Sequence, residues 1–221
     1  EFERVRNLVE SLEPRLKGRV DLYAGSEPMF EHYGIEEQVD KALEIFHNLY
    51  EQAPANSRLY PQIVFALGQS YTDTKRFADA RSVYSQAAQA DPTRPGYRYE
   101  VGRTYVFEKA WKEAIPIFED LVDKTEDTPE FFRRVLFELG HCYERTDQFD
   151  DAVKIFQRLL ALDPENHRTL NYLGYMLAEK GARLSEAERL IERALKAEPK
   201  NSAYLDSMGW VYYRQGRYAE A

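Results

Sequence analysis

Several features common in enzymes and membrane proteins are scarce or missing in this chain of 221 residues. It has one cysteine, Cys142, which excludes an intrachain disulfide. No apolar run approaches the roughly 18 residues that indicate a membrane-spanning helix. No run of lysine or arginine is present, and the net charge of −8 disfavours direct nucleic-acid binding while mildly favouring a basic partner.

Motifs that carry catalysis are also missing. The sequence has no glycine-rich phosphate loop and no G-x-S-x-G nucleophile motif. His141 and Cys142 are neighbours in sequence, so on a helix they point to different sides and do not form a nucleophile pair. The other three histidines have no second ligand at metal-site spacing. We therefore predict no enzyme activity, no metal and no cofactor.

A repeat of 34 to 38 residues is the strongest pattern that is present. Apolar residues at helical spacing surround a recurring glycine, which predicts a helix A, and a recurring alanine, which predicts a helix B. We expect these small residues to let the two helices approach to about 8–10 Å between axes. A period of this size is typical of stacked helical hairpins. The residues are Gly68, Gly102, Gly140, Gly174 and Gly209, with Ala80, Ala114, Ala152, Ala187 and Ala221.

Each unit is numbered so that its glycine is position 8 and its alanine position 20. The units over 61–221 then begin at residues 61, 95, 133, 167 and 202, and the last is truncated. A lone helix B with a linker is predicted over 36–60. The two irregular spacings predict four extra residues in the loop near 124–129 and one in the turn at 181–185, because turns tolerate insertions.

These positions resemble the tetratricopeptide repeat family over about residues 36–221. The resemblance implies an all-α fold: a right-handed superhelical solenoid of helix hairpins in which helix A of each unit lines a concave groove. The stretches 171–175 and 209–213 also look like tetratricopeptide proteins of the bacterial cell envelope.

Residues 1–35 lack the repeat and are predicted to form a small α/β-like segment, with a helix over 2–16 and a short strand over 19–23. The run from Arg19 to Gln38 resembles bacterial ribonuclease E/G, and the resemblance stops near residue 43. That family's metal-binding aspartates, zinc-binding cysteine pair and inserted RNA-binding domain do not follow. The resemblance implies shared ancestry, a fusion or an artefactual joining of two reading frames, and no nuclease activity.

The inner positions 5, 9, 12 and 13 of each helix A form the one candidate site. They are rich in aromatic and arginine side chains, which interface hot spots use. The alternative is that some of these side chains pack between neighbouring units. The candidates are Phe65, Gln69, Tyr99, Arg103, Phe107, Phe137, His141, Arg145, Tyr175, Trp210, Tyr213 and Arg214.

We interpret the chain as a scaffold or adaptor that binds a protein partner, as an extended peptide or a short helix, with Tyr99, Arg103, Phe107 and Trp210 as anchors. One alternative is an inactive piece of a ribonuclease E/G-type protein whose repeats recruit partners. Another is self-association through the C-terminal end. We expect a fragment, because the chain begins at Glu1 and stops inside a repeat. The sequence does not determine the compartment. If residues 1–43 are a native part of the chain, we expect a cytoplasmic protein, whereas the resemblance of residues 167–221 to cell-envelope proteins favours the cell envelope.

Overall fold

A computed structural model of this chain describes residues 43–44, 46–48, 50–53, 55–58 and 60–221. The α/β-like segment predicted for residues 1–35 lies outside these residues, as does the ribonuclease-like run over 19–38. The chain divides into two compact units, residues 1–83 and 84–221. The unit boundaries predicted from the repeat stay predictions.

The fold is all-α across the described part of the chain, as the sequence predicts. Odd-numbered helices correspond to the predicted A helices and even-numbered ones to the predicted B helices. Residues 43–44, 46–48 and 50–52 are helical as well. The helices over 60–221 are α1 (Tyr60–Asp73), α2 (Phe77–Ala90), α3 (Pro95–Phe107), α4 (Trp111–Thr125), α5 (Pro129–Arg145), α6 (Phe149–Leu162), α7 (His167–Glu179), α8 (Leu184–Ala197) and α9 (Ser202–Arg214).

Within residues 84–221 the hairpins stack on one another. Each helix from α3 to α8 packs against the next, and the A helices also meet across units, α3 against α5 and α7 against α9. Asn166 and Asn201 start two of these A helices, because their side-chain oxygens accept hydrogen bonds from the otherwise free N–H groups of the first turn.

The small residues lie where helices A and B touch. A Cβ atom on Gly102 would lie 2.7 Å from Cζ of Phe118, and one on Gly140 would lie 2.9 Å from Cζ of Phe156. A real Cβ cannot approach a ring carbon this closely, so only glycine fits without a shift. The predicted role of the small residues is confirmed at these contacts. The alanines at position 20 have no exposed surface: Ala80, Ala114, Ala152 and Ala187.

The turn from helix A to helix B has the same backbone conformation in every unit. Position 15 adopts a left-handed conformation with φ between 59° and 78°. The next residue donates its N–H to a carbonyl five residues back, as Ala110 does to Tyr105 at 2.8 Å and Gln148 to Tyr143 at 2.9 Å. This Schellman arrangement satisfies the last carbonyls of helix A. The residues at position 15 are Lys75, Lys109, Asp147, Gly181 and Gly216.

The prediction of a four-residue loop insertion near 124–129 was wrong. Helix α4 runs to Thr125 and α5 already begins at Pro129, so only three residues separate them. The added residues extend α5 by a turn at its N-terminal end. Proline suits that position because it needs no hydrogen bond from its nitrogen there, and Phe132 in the added turn is buried in the core.

Candidate functional site

The predicted inner positions of helices α3, α5, α7 and α9 follow one another at helical spacing of three or four residues, so they lie toward one side of each helix. We call this surface the A-helix face. Two further candidates belong to the unit of residues 1–83 and are described separately: Phe65 is half-buried, and Gln69 donates to Asp73 Oδ1 at 2.7 Å. The A-helix face comprises Tyr99, Arg103, Phe107, Phe137, His141, Arg145, Tyr175, Trp210, Tyr213 and Arg214.

Arg103 is held in a cluster of opposite charges rather than presented to solvent. Its Nη1 lies 3.2 Å from Glu100 Oε2, and its Nε lies 3.9 Å from Glu138 Oε1. Burial raises the pKa of both glutamates, and the positive charge of Arg103 opposes that shift. The guanidinium therefore compensates two partly desolvated carboxylates and is not a free anion-binding group.

Tyr99 completes this cluster from the core side. Its side chain is 4% exposed, and its hydroxyl donates to Glu138 Oε1 at 3.4 Å. Arg134 places its guanidinium carbon 4.8 Å from the centre of the ring. Burial, followed by the charge of Glu138, raises the pKa of Tyr99 to about 12. Tyr99 is thus a buried residue that holds Glu138 in place and has almost no surface for a ligand to contact.

His141 and Arg145 on α5 both contact Trp111. The His141 ring meets the indole edge-on at 5.1 Å, and the Arg145 guanidinium lies 5.6 Å from the indole centre. Burial lowers the pKa of His141, and the positive charge of Arg145 lowers it further. His141 is therefore neutral near pH 7 and packs as an aromatic side chain.

Phe137 lies between units. Its ring packs edge-on against Phe156 at 5.7 Å and against Tyr172 at 5.4 Å. Phe137 therefore fits the alternative stated above, in which some inner side chains pack between neighbouring units rather than contact a ligand. Phe137 contributes to the core shared by neighbouring hairpins.

The C-terminal part of the A-helix face carries two exposed aromatic rings, in addition to Phe107 on α3, which is 45% exposed. Tyr175 on α7 is 41% exposed and Tyr213 on α9 is 52% exposed. Trp210 stacks on Tyr213 at 5.3 Å, with an interplanar angle of 16°. Arg214 lies 5.6 Å from the Trp210 ring centre and donates to the backbone carbonyl of Glu179 at 2.5 Å. Arg214 therefore ties the end of α7 to α9.

The sequence interpretation missed two members of the charge cluster, Glu100 and Glu138. Both occupy position 6 of their units, one residue after an aromatic at position 5. Reading position 6 identifies Glu100, because a glutamate three residues before Arg103 is within ion-pairing reach on a helix, whereas Glu138 reaches Arg103 from the next A helix and the spacing gives no signal for it.

The described residues show little that suggests catalysis. Burial raises the pKa of the Cys142 thiol to about 12, so the thiol stays protonated and unreactive near neutral pH. Across the described residues, no group of three or more potential metal ligands is found. The helices in that part of the chain are also too short or too polar to cross a membrane.

Comparisons with known proteins indicate one family. Models of the tetratricopeptide repeat match residues 35–99, 133–166 and 182–221. The human cell division cycle protein 16 homolog is 26% identical over 121 residues, which are 52% of this chain and 19% of that protein. The chain thus spans about a fifth of the length of that curated relative.

Two solved structures are similar in fold. A tetratricopeptide repeat protein from Parabacteroides merdae aligns with a TM-score of 0.70 at 15% identity, covering 98% of this chain and 75% of that chain. YrrB, described as a TPR protein with an unusual peptide-binding site, aligns with a TM-score of 0.59 at 19% identity, covering 79% of this chain and 85% of that chain. At these identities the likeness shows the fold alone.

Proposed function

Because this chain belongs to the tetratricopeptide repeat family of protein-interaction scaffolds, we propose that its A-helix face binds a partner protein as an extended peptide or a short helix. One observation carries the proposal. Phe107, Tyr175 and Tyr213 are more than 40% exposed and lie at predicted inner positions of three A helices, α3, α7 and α9. Exposed aromatic rings in a row are costly in water and are typical of interface anchors.

The other candidates on this face have supporting roles in the proposal. Arg103 and Tyr99 hold the ion cluster, while Trp210 and Arg214 brace the exposed ring of Tyr213. These contacts hold the exposed rings in fixed positions, which reduces the conformational entropy lost when a ligand binds. The peptide-binding site named for YrrB supports a peptide ligand by analogy of fold.

The change of Phe107 to alanine tests this function. Phe107 is 45% exposed, so its loss removes contact area for a ligand and little core packing. Peptides of about twelve residues are first selected from a random phage library on the unmodified chain. We expect Phe107→Ala to weaken binding of the selected peptides about five- to thirty-fold in fluorescence polarisation, with an unchanged melting temperature.

Leu162 provides the matched control. It is 48% exposed on α6, a B helix, so Leu162→Ala removes a similar exposed apolar side chain away from the A-helix face. The control should bind the selected peptides as tightly as the unmodified chain. Equal affinities for all three proteins would show that the peptides bind elsewhere and would refute the proposal.

We also propose weak self-association through the C-terminal end. Leu205 and Tyr218 are 51% and 70% exposed, and the Tyr218 ring lies 5.6 Å from the exposed ring of Tyr213. Burying these side chains against a second copy would remove apolar surface from water. We expect light scattering to show an average mass that rises with protein concentration, and Leu205→Glu to abolish the rise. A constant monomer mass up to high concentration contradicts this prediction.

The ribonuclease alternative gains no support from the described residues. Its resemblance lies in the run over 19–38, outside them, and the described helices form the repeats. Both the scaffold and the inactive ribonuclease piece are expected to leave RNA intact, so RNA cleavage by the purified chain would contradict the prediction of no enzyme activity.

A further inference from the structure

Among residues 60–221, four aromatic rings on or beside the A-helix face, including the buried ring of Tyr99, have an arginine of the protein itself within 6 Å of the ring centre. A guanidinium 4–6 Å from a ring centre is attracted by the negative face of the ring. Each such arginine occupies a ring face that a ligand would otherwise use. The pairs are Arg134 with Tyr99, Arg103 with Phe107, Arg145 with Trp111 and Arg214 with Trp210, at 4.8, 5.0, 5.6 and 5.6 Å.

Tyr175 is a ring of the A-helix face that lies outside these pairs, as Phe137 and Tyr213 do, but those two pack against other aromatic rings. Tyr175 occupies position 9 of its unit, where the neighbouring units have Arg103, His141 and Trp210. Its ring is 41% exposed, and none of the cation–ring pairs found among residues 60–221 includes it. The ring therefore offers an uncovered face to a bound molecule.

Carboxylates surround this ring. Glu179 lies one turn along α7 on the same side, and Asp206 lies on α9, which packs against α7; both are exposed. Burial raises the pKa of Tyr175, and the negative charges of Glu179, Asp206 and Glu144 raise it further. The largest charge effects on the Tyr175 hydroxyl come from these carboxylates, and the hydroxyl also hydrogen-bonds to Glu179. Such a field favours a positively charged ligand group.

We propose that Tyr175, Glu179 and Asp206 form a seat for one lysine or arginine side chain of the bound peptide. The proposal rests on the peptide-binding function above and specifies its ligand as a basic segment. The cation lies over the Tyr175 ring, as the protein's own arginines lie over neighbouring rings, and the two carboxylates neutralise it. The net charge of −8 assists the approach of such a segment.

The experiment uses the same phage-selected peptides on the full chain. We expect lysine or arginine to be enriched at one peptide position, and replacing that residue by glutamine to weaken binding. Tyr175→Leu should weaken the basic peptide about three- to thirty-fold, the range that corresponds to loss of one cation–ring contact. It should leave the glutamine peptide unaffected. The double variant Glu179→Gln, Asp206→Asn should act in the same direction and reduce the salt dependence of binding.

Glu192 on α8 provides a charge-matched control. It is exposed on a B helix, so Glu192→Gln removes one negative charge from the chain without touching the seat. This variant should bind the basic peptide as the unmodified chain does. An equal loss in Glu192→Gln would mean that only the overall charge matters and would refute the seat.

Failure of the seat and failure of the proposed function have different signatures. Selected peptides that depend on Phe107 but show no basic residue and no response to Tyr175→Leu refute the seat and leave the function standing. Peptides that respond to neither Phe107→Ala nor Tyr175→Leu refute both. If Tyr175→Leu lowered the melting temperature as well as the affinity, the loss of binding could be explained by a less stable fold, and this result would count against the seat.

Discussion

Replacing Arg103 with glutamine is expected to lower the free energy of unfolding by about 3 kcal/mol near neutral pH. The side chains of Arg103, Glu100 and Glu138 are 28%, 14% and 20% exposed, so the three charges are largely desolvated. Removing the cation leaves two carboxylates close together with less compensation than before. The estimate lies at the low end for a broken buried pair, because some solvent reaches the cluster.

The same variant should be more sensitive to pH than the unmodified chain. The pKa values of Glu100 and Glu138 are raised in the folded protein above the ordinary value of 4.5. Groups of this kind bind more protons when folded, so their contribution to stability is full below the ordinary pKa and is lost as pH rises through the folded pKa. Without Arg103 the folded pKa values rise further. The penalty of Arg103→Gln should therefore be smaller near pH 5 than near pH 7.

Urea unfolding followed by circular dichroism at the two pH values measures both effects. Lys154→Gln is the matched control, since Lys154 pairs with Asp151 three residues away, as Arg103 does with Glu100, but on an exposed surface. No measurable change is expected for Lys154→Gln. A variant Arg103→Gln as stable as the unmodified chain at both pH values would show that the cluster contributes nothing to folding.

The fold follows from the sequence because the spacing of small residues reports a physical contact. Glycine at position 8 lies where a larger side chain would collide at Gly102, Gly140 and Gly174, and the alanines Ala114, Ala152 and Ala187 on the paired B helices have no exposed surface. The backbone of the turns was less predictable. Position 15 is left-handed in every unit, yet Lys75, Lys109 and Asp147 occupy it where glycine would have signalled that conformation.

The exposure of the candidate site residues was harder to predict than their placement on helix A. Tyr99 and Phe107 are aromatic residues on the same side of α3, but Tyr99 is 4% exposed and Phe107 is 45% exposed. Phe131, which lies in the added turn of α5, contributes to the difference by meeting Tyr99 edge-on at 5.3 Å, alongside Phe118 and Arg134. The repeat pattern predicts a loop where the first turn of α5 lies, so the sequence alone does not show that a residue of this turn covers the Tyr99 ring.

Gly174 and Gly209 occupy the same position in successive units but should respond oppositely to alanine. A Cβ on Gly174 would lie 2.6 Å from Ile191 Cγ1 and 3.0 Å from the carbonyl oxygen of Ala187. A Cβ on Gly209 meets only Ala221, at an ordinary 3.7 Å. Crowding opposes the higher helix propensity of alanine at the first site and is absent at the second.

We therefore expect Gly174→Ala to lower the free energy of unfolding by about 1–2 kcal/mol and Gly209→Ala to raise it by up to about 1 kcal/mol. Melting temperatures and urea midpoints of the two variants should move in opposite directions from the unmodified chain. The backbone oxygen of Ala187 is the decisive neighbour, because a side chain can rotate away from a new methyl group while a helix backbone must shift as a whole. Equal stabilisation by both substitutions would mean that α7 and α8 have room to separate, and that glycine at position 8 is not required for their close packing.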